Sequence, residues 1–153
     1  MLRLITSKSL LSLCFFLVVL FSCNKDGHKV TSELIFGTYS YIDCSGEDCV
    51  ETYKLGYEEL FEDTLDDVQH YNNLEFEKLS DEKFERAEVL RTIIPREILG
   101  LSPVTFGSPD SEGQGGIYLQ IQNRRFHIDQ DKEKVPDFLH EFVDEVLLLV
   151  EEL

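Results

Sequence analysis

The run Leu10–Phe21 constrains this chain more than any other feature, because only Ser12 in it is polar. Arg3 and Lys8 precede it, and Asp26 is the first acid of the sequence. A helix that crosses roughly 30 Å of hydrocarbon needs about 20 apolar residues, so this run is too short to remain as a span. It has the length of a signal-peptide hydrophobic region and ends in the small residue Ser22. Residues 1–22 are therefore predicted to be a cleaved leader, and the fold must come from the residues C-terminal to it.

The residues at the expected cleavage point specify the kind of leader. Leu20-Phe21-Ser22-Cys23 resembles the lipobox of bacterial lipoprotein precursors, with Leu, Ser and Cys at the matching positions and Phe21 departing from the usual small residue. The resemblance implies that Cys23 is the lipid attachment site, carries palmitate-type acyl chains and becomes the first mature residue. Two or more chains anchor stably where one does not. Asn24 in place of Asp implies delivery to the outer membrane, facing either the periplasm or the cell surface. Residues 23–33 are polar after the cysteine and read as a lipidated, flexible tether. Ten such residues span roughly 17 Å root-mean-square, enough to hold a domain just clear of the headgroups.

The remainder, 34–153, has the length of a single globular domain. The chain holds 14 Lys and Arg against 30 Asp and Glu, a formal charge of −16, with 42% hydrophobic residues. Loss of Arg3 and Lys8 with the leader gives 12 − 30 = −18. Enough apolar material is present for a core. A nucleic-acid partner is excluded, because phosphate binding needs a basic face. An anionic membrane surface is expected to repel the domain as a whole, and a protein or glycan partner is expected to offer a basic surface.

Cys44 and Cys49 are the thiols left in the domain, and they flank Ser45-Gly46-Glu47-Asp48. In an exported, oxidising setting they are expected to pair as a disulfide. Closing so short a loop stabilises by roughly 2 kcal/mol. A redox pair is disfavoured, since four residues intervene and Asp43, Glu47 and Asp48 would raise the thiol pKa.

Alternating or β-rich runs predict strands at 34–42, 50–55, 57–64 and 74–77, and a pair at 117–121 and 126–128 that turns at Asn123-Arg124. Pro103–Phe106 reads as a short extended piece and 107–116 as a loop. Ser80 reads as the N-cap of a middle helix in which Phe84, Ala87, Leu90 and Ile94 share a face until Pro95. Arg96–Leu99 reads as one further turn, ended by Gly100. Pro136 opens a C-terminal amphipathic helix, whose apolar stripe includes Phe138, Leu139, Phe142, Val143, Val146 and Leu149. Leu148 falls on its polar side. These elements predict an α+β domain: an antiparallel sheet of five or six strands with both helices on one face.

Residues that could carry chemistry are scattered. His28, His70, His127 and His140 form no metal-binding spacing, and neither a nucleophile elbow nor a P-loop is present. Asp129-Gln130-Asp131-Lys132-Glu133 opens like a calcium loop, but Lys134 and His140 stand where that loop needs Gly and Glu. It reads instead as a polar connection into the last helix. With so many acids, the proximity of two carries no information about acid–base catalysis. No catalytic residue, metal site or cofactor is expected.

Gly115–Tyr118, Phe126–Lys132 and Val135–Asp144, with the cysteine hairpin and the lipobox, are similar to small lipoproteins of Bacteroidota. The resemblance implies a location and brings no activity with it. Relatives carry Cys-Pro-Asp-Cys where this chain has Ser108-Pro109-Asp110-Ser111, which implies the loss of a second crosslink or site here. The expected function is a non-enzymatic, membrane-anchored envelope lipoprotein acting as a binding or accessory module. The alternative is a small envelope enzyme, either a carboxylate-based hydrolase or a thiol-redox factor using Cys44 and Cys49.

Overall fold

The computed structural model describes residues 29–40, 49–65 and 74–153. Their strands are β1 (Leu34–Tyr39), β2 (Val50–Leu55), β3 (Leu60–Asp63), β4 (Phe76–Lys78), β5 (Val104–Phe106), β6 (Gly116–Ile121) and β7 (Arg124–Asp129). They form one sheet in the order β4-β3-β2-β1-β6-β7-β5. Helices α1 (Asp81–Ala87), α2 (Leu90–Ile93) and α3 (Arg96–Leu99) lie between β4 and β5 in the chain, and α4 (His140–Glu152) comes after β7.

The α+β class agrees with the sequence pattern, but the sheet differs from the antiparallel five or six strands expected. It has seven strands, and β5 pairs in parallel with β7. The cause lies in the connection. The chain leaves β4 at one end of the sheet, passes through α1–α3 and re-enters β5 at that same end, where β7 also begins. Pro103–Phe106, expected only as an extended piece, supplies this edge strand. Both edge strands are three residues long, which leaves little unpaired backbone to template aggregation.

Alternation along each strand sorts the side chains into two layers. Leu34 and Phe36, Tyr53 and Leu55, Ile117, Leu119 and Ile121, and Phe126 and Ile128 pack with Ala87, Leu90, Ile94, Ile98, Leu139, Phe142, Val143, Val146 and Leu149 in the main core. All the helical members of a buried cluster lie on this side, as the pattern predicts. The other face carries a separate cluster of Tyr39, Cys49, Val50 and Tyr118, with Ile35 against it. Gly37 sits between the two tyrosines on this face. A Cβ there would lie 1.8 Å from the Glu51 carbonyl oxygen, so β1 and β2 can approach only through glycine.

Helix boundaries obey local chemistry. The Ser80 hydroxyl accepts from the Lys83 N–H at 3.4 Å and caps α1. The middle helix is broken at Glu88-Val89 rather than continuous, which allows the adjacent residues Leu90 and Arg91 both to be buried. Ile94 turns extended before Pro95, as the proline ring requires of its predecessor. After Pro136 the chain makes one 3-10 turn over Asp137–Leu139 before α4 begins. Leu148 is 46% exposed, in agreement with its place on the polar side. The β6–β7 turn falls on Gln122-Asn123, one residue earlier than expected, because Ile121 pairs directly with Arg124. Gln122 there takes φ 57.

The sheet has two distinct ends. At the tether end, Lys29–Ser32 meet the β2–β3 and β6–β7 turns; at the far end lie Ser40, Cys49, the 107–115 loop and the 130–136 connection. Residues 29–33, expected to be part of the tether, belong partly to the domain instead. Val30 is 6% exposed within the core cluster, and its N–H donates to the Arg91 carbonyl at 2.8 Å. The core thus takes in a residue closer in sequence to Cys23 than polarity alone suggests. Cys23, Cys44, His28 and His70 lie outside the described residues. Among the described residues, no helix is long and apolar enough to cross a membrane.

Candidate functional site on the second face of the sheet

The face that carries none of the described helices brings together residues that no sequence spacing links. Gly37, Tyr118 and His127 are direct partners across β1, β6 and β7, with Tyr39 two positions along β1. The Tyr39 hydroxyl and His127 Nδ1 share a hydrogen bond of 3.1 Å. Tyr39 and Tyr118 both set ring edges against the imidazole, with centroids 5.6 and 5.5 Å away. Burial, then the charge of Arg125, lowers the His127 pKa, which favours the neutral ring. Tyr118 donates to Gln120 Oε1 at 2.7 Å, and Arg125 Nε donates to the same oxygen at 3.2 Å. The result is a rigid row of two tyrosines, an imidazole, an amide and a guanidinium on central strands. Tyr39 and Tyr118 are only 4% and 1% exposed, so their rings are packing, and the groups of the row within reach of a partner are Arg125 and the partly exposed Gln120 and His127.

Further along the same face, Lys54 Nζ stands 4.5 Å from the centre of the Phe61 ring and 4.3 Å from that of Phe76. The contact joins β2, β3 and β4 and covers apolar surface with a cation.

Among the described residues three carboxylates are buried, and each is committed to holding a loop. Asp129, 0% exposed, accepts from the N–H of Ser108 at 2.9 Å, the N–H of Asp131 at 2.9 Å and the Gln114 amide at 3.2 Å. Burial by itself would raise its pKa, but the hydrogen bonds from Asp131, Ser108 and Gln114 outweigh it and hold the group below its ordinary value. Asp110 takes φ 59 and accepts from the Ser40 hydroxyl at 3.2 Å and the Gly115 N–H at 3.0 Å. Gly115 has φ 81, and a Cβ there would meet the Tyr39 carbonyl at 2.7 Å. Asp63 accepts from the Glu75 N–H at 2.7 Å. A general acid needs a raised pKa, and Asp129 is shifted the other way.

The acids expected to form only a polar connection into the last helix do more than that. Asp129 ends β7 and pins the 107–116 loop. Asp131 accepts from the Glu133 N–H at 3.0 Å and caps the 3-10 turn at Lys132–Lys134. A hollow of about 430 Å³ lies beside them, lined by Glu112, Gln114, Gln130, Asp131, Lys134 and Leu147. Among the described residues no group of three or more His, Cys, Asp or Glu is placed to hold a metal ion.

Cys49 is disulfide-bonded and only 9% exposed, packed with Tyr39, Val50 and Tyr118. Its expected partner Cys44 lies outside the described residues. His140 is a half-buried helix residue whose Nε2 is 3.3 Å from the Val135 carbonyl oxygen.

Arg91 is the residue that sequence reasoning missed entirely. It is 2% exposed and donates through Nη1 to the carbonyls of Val30 at 3.1 Å and Ser32 at 2.7 Å. Through Nη2 it donates to Leu55 at 3.3 Å and to Gly56. One guanidinium thus ties the incoming chain to the β2–β3 turn. Its adjacency to Leu90 on a presumed continuous helix disguised it as a surface cation. The Tyr39–Tyr118–His127 group was hidden for a different reason: alternation assigns each to the face opposite Phe36, Ile117 and Ile128, but strand order is not visible in one sequence.

No family model, no curated protein and no solved structure matches the chain.

Proposed function

We propose that this chain is a non-enzymatic lipoprotein of the cell envelope, similar to the small lipoproteins of Bacteroidota. In this reading, acyl chains on Cys23 hold it to the outer membrane, and the domain binds or supports another envelope component. The observation that carries the binding part is the polar row of Gln120, Arg125 and the partly exposed His127, backed by the buried rings of Tyr39 and Tyr118. These groups sit on central strands, so their geometry is set before a partner arrives. An amide, a guanidinium and an imidazole on one face suit a protein or glycan surface. The anchoring part draws on the lipobox and on the few residues that separate Cys23 from the buried Val30 in sequence.

The enzyme alternative stays second. The buried carboxylates are occupied with loop hydrogen bonds, and the Cys49 sulfur is packed inside an aromatic cluster.

Photo-crosslinking in whole envelopes tests the binding reading. A photoreactive residue placed at Gln120 is expected to yield a discrete protein or glycan adduct. The same residue at exposed Leu148, on the helical side, is expected to yield none. Adducts from position 148 alone, or only lipid from position 120, would remove this face as the binding surface.

A further inference from the structure

We propose that the hollow at the far end of the sheet, between the 107–115 loop, the 130–136 connection and α4, binds one unit of a neutral pyranose sugar. It is separate from Gln120 and Arg125, which lie near the tether end. Its volume of about 430 Å³ falls within the range of small-molecule sites. Glu112, Gln114, Gln130, Asp131 and Lys134 form a polar wall, and Leu147 of α4 an apolar one. The wall is set before a ligand arrives, because the buried Asp129 holds two sides of it. Gln114 Nε2 donates to Asp129 Oδ1 at 3.2 Å, and the Asp131 N–H donates to the same oxygen at 2.9 Å. Gln114 Oε1 in turn accepts from the Glu112 N–H at 2.9 Å. A site fixed in this way spends little of its affinity on ordering itself.

Charge selects the class of ligand. Lys134 Nζ stands 3.3 Å from Glu112 and 3.7 Å from Asp131, and the charge of Asp129 also acts on it. One ammonium among three carboxylates repels an anion, and an incoming organic cation has to displace Lys134 first. Among the described residues no group is placed to hold a metal ion. A neutral polar ligand meets neither obstacle. Hydroxyl groups both donate and accept, so neighbouring hydroxyls of a sugar ring can donate to Glu112 and Asp131 and accept from the ammonium, whose three donors exceed its two bridges. Gln130 Nε2 donates to the Gly116 carbonyl at 3.5 Å, while its own amide oxygen accepts from nothing among the described residues. That oxygen is left for a further hydroxyl. Leu147, only partly buried, gives the C–H face of the ring an apolar surface.

The test is an NMR titration of the full chain in a detergent without a sugar headgroup. Glucose, galactose, mannose and N-acetylglucosamine are the probes, and glucuronate is the anionic control. At least one neutral sugar is expected to give saturable shifts of the Gln114 and Gln130 side-chain amides and the Leu147 methyls. Glucuronate is expected to bind at least about tenfold more weakly, since its carboxylate meets those of the wall. Gln130→Ala, at a partly exposed position, is expected to weaken sugar binding about tenfold without lowering Tm. Leu148→Ser, on the exposed side of α4, is expected to leave it unchanged. If Gln130→Ala lowers Tm, the titration of the native chain decides alone. No saturable shift from any neutral sugar, glucuronate binding as tightly as they do, or full affinity in a folded Gln130→Ala chain overturns the proposal. Shifts confined to Gln120, Arg125 and His127 also overturn it, while leaving the second face as a binding surface.

Discussion

The two ends of the sheet are closed by opposite charges. At the tether end the buried Arg91 guanidinium donates to the carbonyls of Val30, Ser32, Leu55 and Gly56. At the far end the buried Asp129 carboxylate accepts from the amides of Ser108 and Asp131 and from Gln114. Each ion gathers irregular backbone that no strand or helix could satisfy, and each does so because a buried polar group left unpaired is costly. The difference lies in what acid does to them. Arginine keeps its proton throughout, although burial lowers its pKa, whereas the aspartate loses its charge at low pH. The tether end is therefore fixed under all ordinary conditions, and the far end carries a titratable clasp.

The largest way to break this symmetry is Arg91→Met, which keeps much of the stem but leaves four carbonyls without their donor. It is expected to cost about 3 kcal/mol and to free residues 29–33. Urea denaturation reads the first and amide exchange of Val30 the second. A loss below about 0.5 kcal/mol would mean that water replaces the guanidinium freely.

At the far end, replacing both Cys44 and Cys49 by Ala is expected to cost about 2 kcal/mol, since the loop is short. Mild reductant is expected to leave the native bond intact because Cys49 is buried among aromatic rings. Ready reduction of the folded protein would revive the thiol-redox alternative.

Asp129→Asn is expected to cost about 1.5 kcal/mol, less than Arg91→Met, because the amide oxygen can still accept. The lowered pKa sets the sign of its pH dependence. Stability from Asp129 is present above the unfolded value near 3.9 and is lost as pH falls through the depressed folded value. Stability against pH below about 4 should thus be shallower in the Asn variant than in the native chain. Parallel curves would show that the carboxylate does not carry the far end.

These contrasts also mark how far one sequence could be read. The core face was legible because Ile117, Leu119 and Ile121, or Phe142, Val143 and Val146, repeat at the period of their element. Ser80, Pro95 and Pro136 announced helix limits through backbone chemistry that acts within a few residues. The ionic closures were not legible. Arg91 and its carbonyl partners are up to 61 residues apart, and Asp129 reaches back 21 residues to Ser108. The parallel edge strand β5 escaped for the same reason, since its direction depends on where three helices return the chain. The row of Tyr39, Tyr118 and His127 needed the strand order β1-β6-β7, which local pattern does not encode.

The smallest expected effect belongs to His127. Its lowered pKa means that its contribution is complete above about pH 6.5 and is lost as pH falls through the depressed folded value. His127→Gln is expected to change stability at pH 7 by less than about 1 kcal/mol and to flatten the curve below about pH 6.5. An unchanged slope would show that burial and Arg125 do not hold the imidazole neutral.

The central claim is that this domain works at a membrane, held by its tether end. Intact mass of the chain extracted from envelopes tests it most directly. The account predicts a mature species that starts at Cys23 and carries the mass of two or three acyl chains. A species that starts elsewhere, or starts at Cys23 with an unmodified sulfur, would contradict it.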